Sequence, residues 1–199
     1  MMDLNYIQTP LRNQTIEEQI KDFYLLNNKE RTYQHVLGVA MAAEKLALQY
    51  QEDIRACILA ALLHDISAVI TPQDMMKIAN ELQWQLDSAE KIYPFLLHQK
   101  ISALIAYEYF QIRNLSILKA IESHTTLRSN PSKLDMIIFI ADKLAWDQPG
   151  EPPFKKNIEM ALNDSLEAAC YQYIKYQFDH DLLLFPPVSY THLTLPTIL

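Results

Sequence analysis

A histidine and an aspartate stand directly after the most apolar stretch of the chain. His64 and Asp65 follow the apolar residues 56–63. A buried imidazole beside an ionised carboxylate is costly unless a partner compensates both groups, and a metal ion can compensate several such ligands at once. Further side chains of the same two types lie in or against other apolar, helix-like segments: His35, His98, His124 and Asp142. The six side chains are therefore a candidate metal site.

Each of these residues also has an ordinary explanation when it is taken alone. A single histidine on an apolar helix face is more often a core residue with one hydrogen bond than a ligand. Asp142 could form an ion pair with Lys143 at the end of a helix. The joint pattern favours metal binding, because ligand-type side chains recur at the inner ends of predicted helices. Only His180 and His192 lie outside that pattern.

The donor atoms indicate which metals would bind. Imidazole and carboxylate ligands without a thiolate suit iron, manganese, zinc or nickel better than calcium or magnesium. Four histidines and two aspartates exceed what one catalytic metal with an open position needs. Two ions that share a bridging carboxylate could hold a hydroxide between them and contact both oxygens of a phosphoryl displacement. We therefore expect two divalent transition-metal ions.

The elements that must position these residues are helices. Apolar residues recur at helical spacing in almost every segment, and the chain has only two glycines, too few for the turns of a β-rich fold. A glycine in the second helix, Gly38, predicts the close approach of another backbone near His35. The predicted helices cover 16–26, 30–50, 53–63, 72–84, 95–110, 116–123, a segment from 133 that ends near 142, and about 155–179. The fold class is therefore all-α.

Composition and charge restrict the partners and the compartment. A net charge of −7 without a basic stripe argues against nucleic acid as a general partner. Cys57 and Cys170 are isolated, the N-terminus carries no apolar signal region, and no segment approaches the ~18 apolar residues of a membrane helix. We expect a cytoplasmic protein with no membrane partner. The oligomeric state stays open, with a homodimer as one alternative.

The last twelve residues differ from the rest of the chain. Residues 188–199 have no Asp, Glu, Lys or Arg and no helical period. Their sequence resembles translated sequencing-adaptor read-through, and the alternative is an ordinary exposed tail. We predict a single domain over 1–187, with a helical core at about 30–145 and a C-terminal helix at about 155–179, followed by a dispensable tail.

The order of the candidate ligands resembles that of the HD superfamily of metal-dependent phosphohydrolases, from about residue 33 to residue 144. Within it, the chain is similar to the bacterial YqeK-like group of symmetrical bis(5'-nucleosyl)-tetraphosphatases, compact all-helical proteins that cut diadenosine tetraphosphate into two ADP at a di-iron site. The resemblance depends on five segments: RTYQHVLGVA (31–40), AALLHDI (60–66), LH (97–98), HTTLR (124–128) and IIFIAD (137–142).

This resemblance implies an all-α HD-domain bundle around a buried dinuclear site, with iron as the first expectation. One ion would be held by His35, His64, Asp65 and Asp142. Asp65 would bridge to a second ion, which His98 and His124 complete.

The resemblance also implies how a nucleotide substrate would be held. Arg128 would grip a phosphate with its planar guanidinium and so share the catalytic role with Asp65. Thr125 and Lys143 would be further substrate contacts. The chain departs from the family pattern at Ala68, where many members have lysine, at Gln99, and in the segment after Asp142, where a Glu-Pro stretch is usual. These departures make the metal site a firmer expectation than the dinucleotide substrate.

Three classes of function stay open. The leading one is hydrolysis of a phosphoanhydride or phosphoester in a nucleotide, most specifically symmetrical cleavage of diadenosine tetraphosphate. The second is a di-iron oxygenase, because a few HD proteins use a similar site to activate oxygen. The third is a non-catalytic, metal-binding nucleotide sensor, which the complete ligand set disfavours.

Overall fold

The computed structural model describes residues 7–11 and 13–180. The predictions for residues 188–199, including the exclusion of His192, lie outside the described residues. Within the described ranges the fold is helical and contains no β-strand, which confirms the predicted all-α class. Over the described residues, two short 3-10 helices, Ile66–Val69 and Pro94–Leu97, accompany ten α-helices: α1 (Ile16–Leu26), α2 (Glu30–Tyr50), α3 (Ile54–Leu63), α4 (Pro72–Glu81), α5 (Ser88–Ile92), α6 (His98–Glu108), α7 (Leu115–Ser123), α8 (Lys133–Leu144), α9 (Lys155–Ala161) and α10 (Leu166–Asp179).

Side-chain caps set where the helices begin. The Thr15 hydroxyl accepts from the Glu18 amide, and the Glu18 carboxylate accepts from the Thr15 amide at 2.9 Å. Ser132 and Asp135 form the same reciprocal capping box at the start of α8. Each box satisfies amide groups that have no partner inside the helix, which fixes the first helical residue. The predicted bounds of α1 and α2 are confirmed.

The expected long C-terminal helix is divided into two. Residues 155–179 form α9 and α10, and the chain turns between Leu162 and Ser165. The Ser165 hydroxyl accepts a hydrogen bond from the Ala168 amide at 3.0 Å and caps α10. A side-chain oxygen that caps a new helix competes with continuation of the old one. The prediction of a single helix was therefore wrong at this point.

The segment before His98 also differs from expectation. The predicted helix over 95–110 begins as an α-helix only at His98, and residues Pro94–Leu97 form a 3-10 turn instead. A further helix, α5, was not expected. Its start is marked by Asp87, whose carboxylate accepts from the Glu90 amide at 2.9 Å. These short elements direct the chain so that His98 is the first residue of α6.

The core is built around α3, which contacts α2, α7 and α8. Alanines and leucines on almost every side of α3 are buried, as the apolar run predicts. Cys57 lies in this run as a fully buried free thiol. Because α2, α7 and α8 pack against the same short helix, the side chains at its C-terminal end are surrounded by three other helices.

Gly38 lies where α2 meets the end of α8. A Cβ atom built on Gly38 would be 3.6 Å from the Cβ of Ala145, the residue that ends α8. The predicted close approach of another backbone was wrong: the nearest atom is a side-chain Cβ, and its distance is that of ordinary van der Waals contact. The two helices that carry His35 and Asp142 pack side by side through many other contacts.

No single helix among the described residues has the length and composition to cross a membrane. The segments Ile54–Val69 and Pro72–Glu81 meet the length and composition test only when they are joined, and they are bent by 101° at their junction.

Candidate metal centre

The six predicted ligands converge at one place in the fold. Five helices provide them, all but His35 at or near their ends: His35 (the second turn of α2), His64 and Asp65 (the end of α3), His98 (the start of α6), His124 (the end of α7) and Asp142 (the last turn of α8). Their convergence follows from the packing of α2, α7 and α8 on α3, because each helix brings one of these residues to the same side of the core.

One group of donor atoms surrounds the Asp142 carboxylate. The Nε2 atom of His35 lies 3.1 Å from Oδ1 of Asp142, and the Nε2 atom of His64 lies 3.5 Å from the same oxygen. Together the three residues offer ligand atoms within 4.8 Å of one another. Three imidazole and carboxylate donors at this spacing could hold a transition-metal ion.

Asp65 connects this group to a second one. Its Oδ2 atom lies 3.6 Å from Nε2 of His64, whereas its Oδ1 atom faces Nε2 of His124 at 3.5 Å and Nε2 of His98 at 3.8 Å. The two oxygens of one carboxylate therefore point to two different sets of histidines. This is the arrangement that a carboxylate needs in order to bridge two ions.

Backbone carbonyl groups orient three of the histidine rings. Each of these rings caps the C-terminal end of a helix, where carbonyl groups lack a partner within the helix. Since a carbonyl oxygen only accepts, the ring atom Nδ1 must donate, and Nε2 points into the cluster, with a free lone pair wherever the ring is uncharged. The carbonyl in each case lies three residues earlier: Ala61 for His64 at 2.7 Å, Phe95 for His98 at 2.7 Å, and Ile121 for His124 at 2.8 Å.

This orientation creates a contact that favours a bound cation. The Nε2 atoms of His98 and His124 face each other at 3.0 Å. Burial and the neighbouring His124 lower the pKa of His98 to about 4, and burial also lowers the pKa of His124. At neutral pH both rings are therefore uncharged, and neither has a proton to place between the two nitrogens. A metal ion that accepts both lone pairs fits this geometry.

The carboxylates stay ionised although they lie in a largely buried site. Burial alone would raise the pKa of Asp65, but His64 and His124 outweigh it and lower the pKa. Burial likewise opposes ionisation of Asp142, and Lys143 and His35 hold its pKa well below the usual range. The two carboxylates in turn outweigh the effect of burial on His64 and raise the pKa of that imidazole to about 9. The Nε2 atom of His64 is buried and has no hydrogen-bond partner among the described residues, as expected of a ligand atom.

The comparison with protein families agrees with this geometry. The model of the HD domain matches residues 32–147, a span that contains all six predicted ligands. The chain belongs to the HD domain family. HD domains bind divalent metals, and the predicted resemblance to this family is confirmed.

Individual relatives extend the match beyond the HD domain itself. The chain is 38% identical over 128 residues to a Lactococcus lactis subsp. cremoris protein described as "Uncharacterized protein in pepC 5'region", and the match covers 64% of this chain and 66% of that protein. It is 30% identical over 166 residues to a symmetrical bis(5'-nucleosyl)-tetraphosphatase of Halalkalibacterium halodurans, over 82% of this chain and 88% of the relative.

A solved structure also matches the fold. It is the crystal structure of a predicted HD superfamily hydrolase involved in NAD metabolism from Clostridium acetobutylicum, with a TM-score of 0.81 and 27% identity. The match covers 90% of this chain and 96% of that one. The names of the relatives support the expectation that this HD domain is a hydrolase.

Two of the predicted substrate contacts lie beside the HD-domain ligands. The Lys143 ammonium is 2.5 Å from Oδ2 of Asp142, and it faces the rings of Phe139 and Tyr173 at 5.4 and 5.5 Å. The Thr125 hydroxyl lies 3.1 Å from Nε2 of His98. Contact of these two groups with a substrate stays a prediction.

Arg128 does not make the expected approach. Its Nη2 atom is 2.5 Å from Oδ2 of Asp135, a fully buried carboxylate in the first turn of α8, and its Nη1 atom donates to the Asn130 carbonyl. Asp142 lies seven positions after Asp135 along α8, a rise of about 10 Å. Phosphate contact by Arg128 would require the guanidinium to leave a buried carboxylate, so that role stays a prediction.

Gln99 has a structural part in the site that sequence reasoning missed. Its side chain is buried, its Oε1 atom accepts from the Thr125 amide at 3.3 Å, and its Nε2 atom donates to the Thr126 hydroxyl at 3.4 Å. The amide therefore ties the start of α6, which carries His98, to the segment that follows His124. The only signal in the sequence is its departure from the family pattern.

Proposed function

We propose that this HD-domain protein is a metal-dependent phosphohydrolase that acts on nucleotides, with symmetrical hydrolysis of diadenosine tetraphosphate to two ADP as the first candidate reaction. The observation that carries the proposal is the position of the Asp65 carboxylate, whose two oxygens face different histidines. The relative named as a symmetrical bis(5'-nucleosyl)-tetraphosphatase, at 30% identity, supports this reaction and substrate.

The six residues of the cluster would bind two ions, each with its own set of ligands. His35, His64 and Asp142 would hold one ion, and His98 and His124 would hold the second. Asp65 would contact both ions through its two oxygens. When bound, the ions would lower the pKa of a shared water and neutralise the charge that develops on the phosphoryl oxygens.

Other side chains would orient the substrate and steady the ligands. Lys143 carries a positive charge next to Asp142 and would attract a phosphate oxygen, a role that compensates for the missing lysine at Ala68. The Thr125 hydroxyl, which donates to Nε2 of His98 in the metal-free arrangement, would be released by an ion at that nitrogen and could then donate to the substrate.

The proposed metals follow from the donor atoms. Imidazole and carboxylate ligands without a thiolate suit iron, manganese, zinc and nickel, and the proposal takes iron as the first candidate on the family resemblance. Protein purified without oxygen and loaded with each of these metals in turn would show which of them supports turnover.

Product analysis tests the proposed reaction. Metal-loaded protein is incubated with diadenosine tetraphosphate, with mononucleotides and with nicotinamide-containing nucleotides, and the products are separated by chromatography. Symmetrical cleavage yields ADP alone, whereas asymmetrical cleavage yields AMP and ATP. Asp65→Ala should reduce turnover by orders of magnitude, because it removes the shared ligand. The proposal fails if protein that holds both ions hydrolyses none of these nucleotides.

A further inference from the structure

The loop that follows α8 forms part of two cavities beside the metal ligands. One cavity of about 210 Å³ is bordered by His35, Asp142 and Lys143, and one of about 360 Å³ is bordered by His35, Arg31 and Gln34. Trp146 and Asp147 line both. The two residues of this loop therefore lie between a cavity that reaches the ion-binding side chains and a larger cavity next to it.

The chemistry of the two cavities differs. The smaller one contains the Lys143 ammonium and an oxygen-ligand residue, Asp142, which suits a phosphate held at the ions. The larger one contains the indole of Trp146, the amide of Gln34 and the carboxylate of Asp147. An aromatic face with a few hydrogen-bonding groups around it is what a planar heterocycle with polar edges requires.

The Trp146 indole is accessible to a planar heterocycle that enters the larger cavity. Its side chain is partly exposed at 38%, and its indole is supported from one side by Phe154, with ring centroids 5.8 Å apart and an interplanar angle of 84°. An edge-to-face contact of this kind holds the indole in place. Gly38 lines the same cavity and adds no side-chain volume to it.

Arg31 and Asp147 lie at the edge of the larger cavity. The Nη2 atom of Arg31 is 3.5 Å from Oδ2 of Asp147 and also donates to the Asp147 carbonyl at 3.4 Å. Both side chains are exposed, at 78% and 41%, so the pair is weakly held and can rearrange around a ligand. It joins the start of α2 to the loop that carries Trp146.

We propose that the larger cavity binds the base of a nucleotide against the face of Trp146, while the phosphates of the same nucleotide extend past Lys143 to the ions. This inference rests on the proposed function and adds to it the place of the base. The volume of about 360 Å³ is at the lower end of the range for small-molecule sites and suits one nucleoside rather than two. A nucleoside diphosphate should therefore bind without a second nucleoside.

Tryptophan fluorescence gives a direct test of binding. The chain has two tryptophans, and Trp84 lines neither cavity, so in Trp84→Phe the emission comes from Trp146 alone. ADP added to zinc-loaded Trp84→Phe protein should quench this emission to saturation, and pyrophosphate, which has no base, should not. Equal quenching by ADP and pyrophosphate, or no quenching by ADP, would overturn the proposal.

Kinetics give an independent test on the same residue. Trp146→Ala should raise the KM for the nucleotide about 10- to 100-fold, the usual effect of losing one base–aromatic stack, with a much smaller change in kcat. Trp146→Phe keeps an aromatic face and should show a smaller rise, and it also serves as the readout if the alanine variant fails to fold. Trp84→Phe is the matched control and should keep the KM of the unmodified protein. An unchanged KM in the Trp146 variants would contradict the base site.

The outcomes separate the two proposals. Hydrolysis of nucleotides without quenching and without a KM effect at Trp146 would leave the phosphohydrolase standing and remove the base site. Specific quenching by ADP in a protein that holds both ions but hydrolyses no nucleotide would support the base site and remove the proposed hydrolytic function.

Discussion

The Nε2 atoms of His98 and His124 face each other at 3.0 Å while each ring donates its Nδ1 proton to a backbone carbonyl. The two backbone carbonyl groups therefore orient the rings so that their Nε2 lone pairs face each other. This is an unfavourable arrangement for a pair of uncharged imidazoles and a favourable one for a pair of ligands. We therefore expect these two side chains to share one metal ion.

Replacement of either histidine should remove one ion and leave the other. His98→Ala or His124→Ala leaves the second ion with one imidazole and a shared carboxylate, whereas the first ion keeps its ligands. Elemental analysis of protein purified without oxygen should give about two ions per chain for the unmodified protein and about one for each variant. His180→Ala, which changes an exposed histidine away from the cluster, should keep both ions. One ion or none in the unmodified, well-folded protein would contradict the dinuclear site.

Metal binding near pH 7 should release about one proton from His64. The Asp65 and Asp142 carboxylates, against the opposing effect of burial, raise its pKa to about 9, so the imidazole is protonated in the metal-free protein. As a ligand it must be neutral, and the proton leaves when the ion binds. Calorimetric titration with zinc in buffers of different ionisation enthalpy measures this number. A release that is unchanged in His64→Gln would show that the proton comes from elsewhere.

The same pKa shift predicts how the stability of the metal-free protein depends on pH. A folded-state pKa above the ordinary value of 6.5 gives His64 a stabilising contribution that is complete below about pH 6.5 and is lost as the pH rises through 9. The lowered pKa of His98 acts in the opposite sense, because its contribution is lost as the pH falls from 6.5 towards 4. Thermal unfolding in the presence of a chelator should therefore show lower Tm values at pH 9 than at pH 7, and this fall should be absent from His64→Gln.

Arg128→Ala should act mainly on stability. It leaves the buried Asp135 carboxylate without its cationic partner, which costs about 1–3 kcal/mol in the free energy of unfolding. The double variant Arg128→Ala/Asp135→Asn should recover part of this loss, since the unpaired charge is gone. Arg55→Ala, a change at an exposed arginine, is the matched control and should alter the stability little. If Arg128→Ala instead raises the KM for the nucleotide at unchanged stability, the guanidinium contacts phosphate as the family resemblance implies.

Gln99→Ala should weaken the second ion without removing a ligand. The Gln99 amide joins the segments that carry His98 and His124, and loss of such a supporting hydrogen bond typically costs 10- to 100-fold in metal affinity. Zinc affinity measured by competition with a chromophoric chelator checks the expected loss. Gln99→Glu keeps the acceptor for the Thr125 amide but loses the donor to Thr126, and should fall between the alanine variant and the unmodified protein. Equal affinity in all three would show that the amide has no part in positioning the histidines.

Much of the fold could be predicted from local signals. Thr15 and Ser132 mark helix starts through caps that involve residues only three positions away. Ser165 is a signal of the same kind, but the amphipathic pattern on either side concealed it, and the break between α9 and α10 was missed. The ligand residues could be predicted because each is a charged or polar residue within or next to an apolar segment, a pattern that the sequence alone shows.

What could not be predicted depends on contacts between distant segments. The ion pair of Arg128 with Asp135 requires the loop before α8 to fold back over its own helix, and nothing in the sequence distinguishes it from a free arginine. The bridge from Gln99 to Thr125 joins residues 26 positions apart. The cavity beside Trp146 arises only when the start of α2 meets the loop after α8.

The histidines that cap α3 and α7, together with Asp142 in the last turn of α8, have a consequence for the order of binding. The C-terminal ends of three helices meet at the cluster, and each carries the negative end of a helix macrodipole. The N-terminal end of α6 at His98 and the Lys143 ammonium oppose this effect in part. We expect the three C-terminal ends to favour the binding of cations before polyphosphate, and the affinity for nucleotide to rise once the ions are bound.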